Sequence, residues 1–499
     1  MKRLLLCIVF IAWAWHSQAQ SEFTAKFKAI PVGKFPIAPK KAAEPKKVAP
    51  TNSDIPSIKA PNVFNSPEAQ FTKPAPAKSY QLGQTNTFSM IQKNEFIASI
   101  DIGSSKIKCL IAKLKNNKIE ILGKSIVVSK GITKGLVTNF HEANLVVREC
   151  LEISEKQAGI SLENIIVNAE FENISSNLLT EYKSVHGDQI EHEKDIQGLI
   201  HIAVDEIAKN NKDNAIIHIF SSNYKIDKKI NVENPVGFKA NIFSADIHAV
   251  LAEHSSIDNL KNIINSCELS VENYAFGAYA LGLSFLNQND LNEGAICIDF
   301  GKDKTSFAIF ENNALSYVGV IPYGSNQVSK DLAKVLDIKI EIAERIKVES
   351  GECILNENTK DKIEYLPVHL FPDDDFRKIS KTIVNTIINS RVEEILQLIY
   401  RKIKTYNSID IKTRKIYLSG RGSNLVGLTS LIKKYFSQRT ELVLQIKQED
   451  ENLVNNLSQD FLVCYGMVKN YFYGFPSEAL PIKFKNTGFF SRLLSIFQK

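Results

Sequence analysis

Paired cysteines are missing from this 499-residue sequence. Its seven cysteines, Cys7, Cys109, Cys150, Cys267, Cys297, Cys353 and Cys464, are scattered, with no CxxC pair among them. Several stand inside apolar, strand-like runs, where cysteine acts as a small hydrophobe. The pattern suits a reducing compartment and excludes a disulfide scaffold. Tryptophan is nearly absent, and both copies, Trp13 and Trp15, fall in the first twenty residues. Proline is sparse beyond residue 89, because 10 of the 16 prolines lie between 21 and 89. The main body also lacks an excess of either charge. Residues 1–89 hold 12 Lys and Arg against 4 Asp and Glu, whereas residues 90–499 hold 49 against 51. The net charge of +6 therefore belongs to the front end, and the body gives no reason to expect a nucleic-acid partner.

The front end does not match the rest. "MKRLLLCIVFIAWAWHSQAQ", residues 1–20, has a basic start, an apolar run and an A-x-A-like end, which is a secretory signal pattern. The run is short for a membrane span. Residues 21–93 read as a disordered Pro/Lys-rich linker, a solvated spacer rather than a surface-binding tail. Met90 then opens "MIQKNEFIASIDIG", a natural start for a compact domain. The expectation is a fusion or a wrongly chosen start codon.

The body repeats a plan. "FIASIDIGSSKIKCLIAKLKNNKIEILGKSIVV" reads as strand, DxG turn at Asp101–Gly103, strand, Asn116-Asn117 turn, strand. "AICIDFGKDKTSFAIFENNALSYVGVIPYG" repeats it with Asp299, Gly301 and Asn312-Asn313. Helical patterns such as "HEANLVVRECLEISEKQAG" and "NQVSKDLAKVLD" follow in each half, so the class is α/β with a duplicated domain. A sharp turn of this kind points backbone N–H groups at phosphate oxygens, and small hydroxyl residues add donors. The aspartates, Asp101 and Asp299, can hold the hydration shell of a Mg²⁺ ion. Two such turns facing each other would clamp one phosphate chain, and the pair points to nucleotide binding. One DxG alone is more often a plain hairpin.

These stretches resemble the actin-like ATPase superfamily and, within it, the bacterial cell-division FtsA family. "VIPYGSNQVSKDLAKVLDIKIEIAERIKVESG" resembles the family's link from the second phosphate hairpin to the nucleoside helix, and "IYLSGRGSNLVGL" its adenosine motif. The likeness spans about residues 94–499. It implies a duplicated actin-like (ribonuclease H-like) ATPase fold with an inserted small α+β subdomain. It assigns the first half to 94–171, the insert to 172–250 and the rest of the body, including the second half, to 251–471. By the resemblance Asp101, Gly103, Ser104, Ser105 and Lys106 form the first phosphate loop, and Asp299, Gly301, Lys302 and Thr305 the second. Glu344 and Lys347 would reach a ribose, and Gly420, Gly422 and Ser423 would let the backbone approach the base. The implied cofactors are ATP and Mg²⁺.

Two departures stand out. Lys302-Asp303-Lys304 occupy positions where the family has small residues, and Arg421 separates glycines that are normally adjacent. Their bulk either narrows the site or neutralises phosphate charge. The helix "YAFGAYALGLSFL" carries no carboxylate, Gln or His to activate a water, so binding with weak or absent hydrolysis is expected. His186, His192, Glu193 and His201 could read as metal ligands, but an acid-rich helix start is the better account of "DQIEHEKDIQGLIHIAVDEIA". Asp373–Asp375 read as a solvated turn.

After a linker over 472–487, the chain ends "GFFSRLLSIFQK", residues 488–499. Phe490, Leu493, Leu494 and Phe497 share one helical face, Phe489 and Ile496 widen it, and Arg492 supplies positive charge. That composition suits a membrane interface, and the family ends in such a membrane-targeting helix. The resemblance implies an adaptor that tethers the FtsZ ring to inner-membrane lipids, self-associates into filaments and helps recruit other division proteins. Its place would be the cytoplasmic face of the inner membrane, with which the signal-like residues 1–20 conflict. A pilus-assembly actin-like ATPase and a small-molecule kinase of the same fold are the alternatives.

Overall fold

The computed structural model describes residues 95–355, 364–367, 370, 378–406, 411–443, 445–446 and 457–479. Contacts divide the chain into Met1–Gln84 and Thr85–Lys499, and every described residue belongs to the second unit. The signal-like segment, the Pro/Lys-rich linker, Asp373–Asp375 and the terminal helix with Phe489, Phe490, Arg492, Leu493, Leu494, Ile496 and Phe497 lie outside the described residues.

The repeat in the sequence is a repeat in the fold. The first sheet runs Ser270–Ala275, Asn164–Asn168, Phe96–Ile102, Lys106–Lys115, Lys118–Val128 in spatial order. The second runs Thr440–Leu442, Lys415–Ser419, Ala295–Phe300, Thr305–Glu311, Ala314–Ile321. In each, three antiparallel strands join two parallel ones through the strand that carries the DxG aspartate. Both hairpins turn on an Asn-Asn pair in the left-handed region, with φ of 52° and 60° at Asn116-Asn117 and 50° and 60° at Asn312-Asn313. That conformation matches the twist of the flanking strands. The aspartate-bearing strands lie centrally, which is why they read as nearly unbroken apolar runs rather than alternating ones.

Two helices interlock the halves. Gly277–Phe285, on the first-half chain, packs on Ala295–Phe300 and Thr305–Glu311 of the second sheet. Leu462–Tyr473, from the far end of the chain, packs on Phe96–Ile102 and Lys106–Lys115 of the first. They also pack on each other, so closely that a Cβ on Gly466 would sit 1.7 Å from the Ala280 carbonyl oxygen. Only glycine fits there.

The insert interrupts the first half after Asn168. Its antiparallel sheet runs Ser175–Ser184, Ile242–Glu253, Asn214–Ile226, Ile230–Val232. The helix Gln197–Asn210 buries Leu199, Ile200, Ala203 and Ile207 against it. His248 joins this sheet to the second half: its Nδ1–H donates to the Leu315 carbonyl at 2.9 Å, and Ser176 Oγ lies 3.0 Å from Nε2. Burial pushes the imidazole down to about 4, so it stays neutral.

Residues 472–479, expected in a linker, are packed on the body. The helix continues to Tyr473, and Phe475 is buried against Phe220, Tyr279 and Phe310. Ser221 N–H donates to the Ser477 carbonyl and Ala479 N–H to that of Ile219. Glu478 accepts from Tyr279 Oη and Asn470 Nδ2, both at 2.8 Å, and meets His218 Nδ1. A large aromatic and a fully partnered carboxylate hold residues 475–479 to the body, which their polar, Pro-flanked sequence did not signal.

Candidate nucleotide site

The two DxG turns are the same object built twice. Ile102 pairs with Ile107 and Phe300 with Thr305, leaving four residues in each turn. Gly103 N–H donates to the Lys106 carbonyl at 3.2 Å, and Gly301 N–H to the Lys304 carbonyl at 3.0 Å. Both turns line one small cavity of about 90 Å³ between the halves. A larger cavity of about 720 Å³ adjoins it, with Ser105, Lys106, Lys302 and Arg421 lining both. The larger volume falls in the ordinary range for ligand pockets, roughly 300–1,000 Å³.

Of the residues singled out from the sequence, Asp101, Gly103, Ser104, Ser105, Lys106, Asp299, Gly301, Lys302 and Gly420 line the small cavity. Glu344, Lys347 and Gly422 line the large one. Glu344 and Lys347 pair at 2.7 Å on the helix Ile340–Ser350, and Lys347 Nζ also donates to the Ser325 carbonyl. Burial raises the Glu344 pKa, but Lys347 and Ser329 outweigh it, leaving it below the usual value. Gly420, at φ 86°, lets the backbone pass Asp299 Oδ1, which would lie 2.1 Å from a Cβ. Thr305 and Ser423 line neither cavity. Thr305 is fully buried and donates to the Tyr323 carbonyl, while Ser423 donates back to the Gly420 carbonyl. Each hydroxyl thus spends its proton on a backbone oxygen of the protein.

The triplet Lys302-Asp303-Lys304 does not plug the site. Asp303 accepts from Asn326 Nδ2 at 2.9 Å, and Lys304 crosses the cleft to the backbone oxygen and the carboxylate of Glu170. Arg421 does not fill the nucleoside cavity either. It forks onto Asp460, with Nε–Oδ1 at 2.9 Å and Nη2–Oδ2 at 2.6 Å.

The two aspartates differ sharply. Asp101 accepts from Lys108 Nζ at 2.6 Å and from Asn168 Nδ2 at 2.7 Å. Burial pushes its pKa up, yet these partners outweigh it and hold it below the usual carboxylate value. Asp299 has no hydrogen bond to ease its charge. Burial and the nearby Glu170 and Asp101 carboxylates raise it to about 7. A Mg²⁺ ion arriving with phosphates and its own waters fits this donor set at Asp299, whose charge a cation would relieve. Asp101 already has a partner on each oxygen. Among the described residues no group of three or more His, Cys, Asp and Glu side chains is arranged to hold a metal by itself.

Sequence reading missed Lys108, Asn168, Glu170 and Asp460, and the role of Lys304 in holding Glu170. Glu170 is buried, with Oε2 lacking any partner, and it faces the start of the helix Gly277–Phe285, where a Cβ on Gly277 would collide with it. A carboxylate therefore does stand at that helix, supplied by the loop after Asn164–Asn168. Duplication was the available signal: Asn164–Asn168 is the counterpart of Lys415–Ser419, so the residues just after it correspond to the expected adenosine loop.

A family model described as "Cell division protein FtsA" matches residues 296–458, and one described as "SHS2 domain inserted in FTSA" matches residues 172–251. Both matched stretches are similar to the FtsA family. Cell division protein FtsA of Agrobacterium fabrum is 27% identical over 363 residues, covering 70% of this chain and 81% of the relative. FtsA of Neisseria meningitidis is 25% identical over 351 residues, covering 70% and 83%. Among solved structures, the PilM-PilN type IV pilus biogenesis complex aligns with a TM-score of 0.49 at 12% identity, covering 75% of this chain and 98% of that one. The sheet inserted after Asn168 lies in the stretch that the SHS2 model matches. No described helix is long and apolar enough to cross a membrane.

Proposed function

We propose that this chain is an FtsA-family cell-division adaptor that binds ATP with Mg²⁺ between its two halves, self-associates and tethers the FtsZ ring to the inner membrane. The observation that carries the reading is the pair of equivalent turns facing one cavity, beside a second cavity of nucleoside size. In this reading Gly103 to Lys106 and Gly301 to Lys304 hold the phosphates, while Glu344 and Lys347 meet the ribose. Bound Mg²⁺ would supply charge neutralisation at the phosphates. Asp299 would orient the ion's hydration shell and Asp101 would fix the Lys108 ammonium beside it. The body's near-neutral charge favours protein and lipid partners over nucleic acid.

Membrane attachment rests on the apolar face of residues 488–499, with Arg492 and Lys499 for anionic head groups. Co-sedimentation tests the adaptor role. The full chain with ATP should carry FtsZ down with anionic vesicles, and deletion of 488–499 should leave both in the supernatant. FtsZ that stays in solution while the full chain pellets would overturn the tethering role.

A further inference from the structure

Asp460 lines the small cavity and holds two cations, Lys106 and Arg421, that line both cavities. Its carboxylate takes the Arg421 guanidinium in a two-pronged pair and lies 3.7 Å from Lys106 Nζ. The partners come from opposite sides of the cleft. Lys106 closes the first turn, and Arg421 lies in the second half's glycine loop just after Lys415–Ser419. Asp460 itself is fixed on the first half, because its neighbour Phe461 is buried in the cluster with Ile97 and Leu110. The Asp460 side chain is 10% exposed and the Arg421 side chain 52% exposed, so the acid is the more enclosed partner and the arginine the more accessible one.

The charges around it are balanced. Five cationic and five acidic side chains line the small cavity. A polyanion entering there meets little net positive charge, and two of the cations that line both cavities, Lys106 and Arg421, are already engaged. An arginine pairs as well with a phosphate as with a carboxylate, through the same planar fork.

We propose that Asp460 is a positioning residue that holds Arg421 and Lys106 in reserve, and that nucleotide phosphates compete with it for them. The binding of a triphosphate then exchanges a carboxylate partner for a phosphate one, and the cleft's affinity depends on phosphate charge through this pair. The inference rests on the nucleotide reading above.

Calorimetric titration of the full-length chain with ATP, ADP and adenosine, each with excess Mg²⁺, tests it. Asp460→Asn keeps the shape but removes the competing charge, so the ratio of ATP to adenosine affinity should rise about tenfold, with ADP between. Arg421→Gly should lower that ratio, and the double variant should lose the gain. Adenosine separates the roles, since a merely structural Asp460 would move all three ligands together. An Asp460→Asn ratio that is unchanged or lower, or an Arg421→Gly ratio that does not fall, overturns the proposal. Wild-type chain that binds no ATP would sink the nucleotide reading itself. Wild-type chain that binds ATP while the variants leave the ratio unmoved sinks only this exchange.

Discussion

The turn at Gly103-Ser104-Ser105-Lys106 and the turn at Gly301-Lys302-Asp303-Lys304 share length, closing hydrogen bond and position in equivalent sheets. They differ in where their charge goes. The first aspartate is satisfied inside its own half, by Lys108 on the adjoining strand and Asn168 on the parallel one. The second is left without a hydrogen bond among like charges, and its turn's last lysine is spent on Glu170 across the cleft. One jaw is therefore finished in the free chain, while the other keeps a carboxylate without a hydrogen bond, which in the proposed function a cation would relieve. A duplicated backbone fixes where a ligand goes, and the side chains that diverged decide which half depends on it.

Breaking the finished jaw should cost most. Asp101→Ala leaves the Lys108 ammonium without its partner in a largely buried place, so urea denaturation should report a loss of about 3 kcal/mol. Lys108→Met in the same chain should recover part of it, since the unpaired charge is then gone. The other jaw should respond with the opposite sign. Asp299→Asn removes a carboxylate held up by burial, Glu170 and Asp101, so the nucleotide-free chain should gain about 2 kcal/mol at pH 8.

The same contrast fixes the pH dependence. The ordinary carboxyl value is 3.8 and Asp299 is raised to about 7, so between about pH 4 and 7 the folded chain binds the extra proton. Through Asp299, stability falls as pH rises across that window. Asp101 is lowered, so its contribution is present above 3.8 and is lost as pH falls below it. The stabilisation by Asp299→Asn should therefore shrink between pH 8 and pH 5 and be almost gone near pH 4. A gain that is constant with pH would contradict the assignment of the raised carboxyl to Asp299.

The smallest effects come at the edges of the comparison. Lys304→Met strips Glu170 of the cation paired with it and should cost about 1–2 kcal/mol, measured by thermal unfolding without nucleotide. Thr305→Val loses one buried hydrogen bond to the Tyr323 carbonyl and should cost about 1 kcal/mol, with ATP affinity unmoved. A change in ATP affinity there would return Thr305 to the ligand's list of partners.

Much of this frame was legible in the sequence, because it is carried by local signals. The DxG turns, the Asn-Asn hairpins and the central apolar strands are read from neighbouring residues, and two copies reinforced each other. What stayed hidden is long-range. Glu170 and Lys304 are 134 residues apart, and Arg421 and Asp460 are 39 apart, so no spacing rule joins them. Arg421 read as either an obstruction or a phosphate partner because its own partner, Asp460, was out of view. The hydroxyls of Thr305 and Ser423 matched the expected motif but are taken by backbone oxygens that only the folded turn supplies. The packing of residues 475–479 depends on the insert's strand Asn214–Ile226, which lies far upstream.

The central claim is that two unequal jaws hold one phosphate chain, with the second dependent on a cation. Titrating ATP in Mg²⁺ against the wild-type chain and Asp299→Ala tests it most directly. The account predicts affinity at least about tenfold weaker in the variant, even though its nucleotide-free fold is no less stable. Equal ATP affinity in the two chains would contradict it.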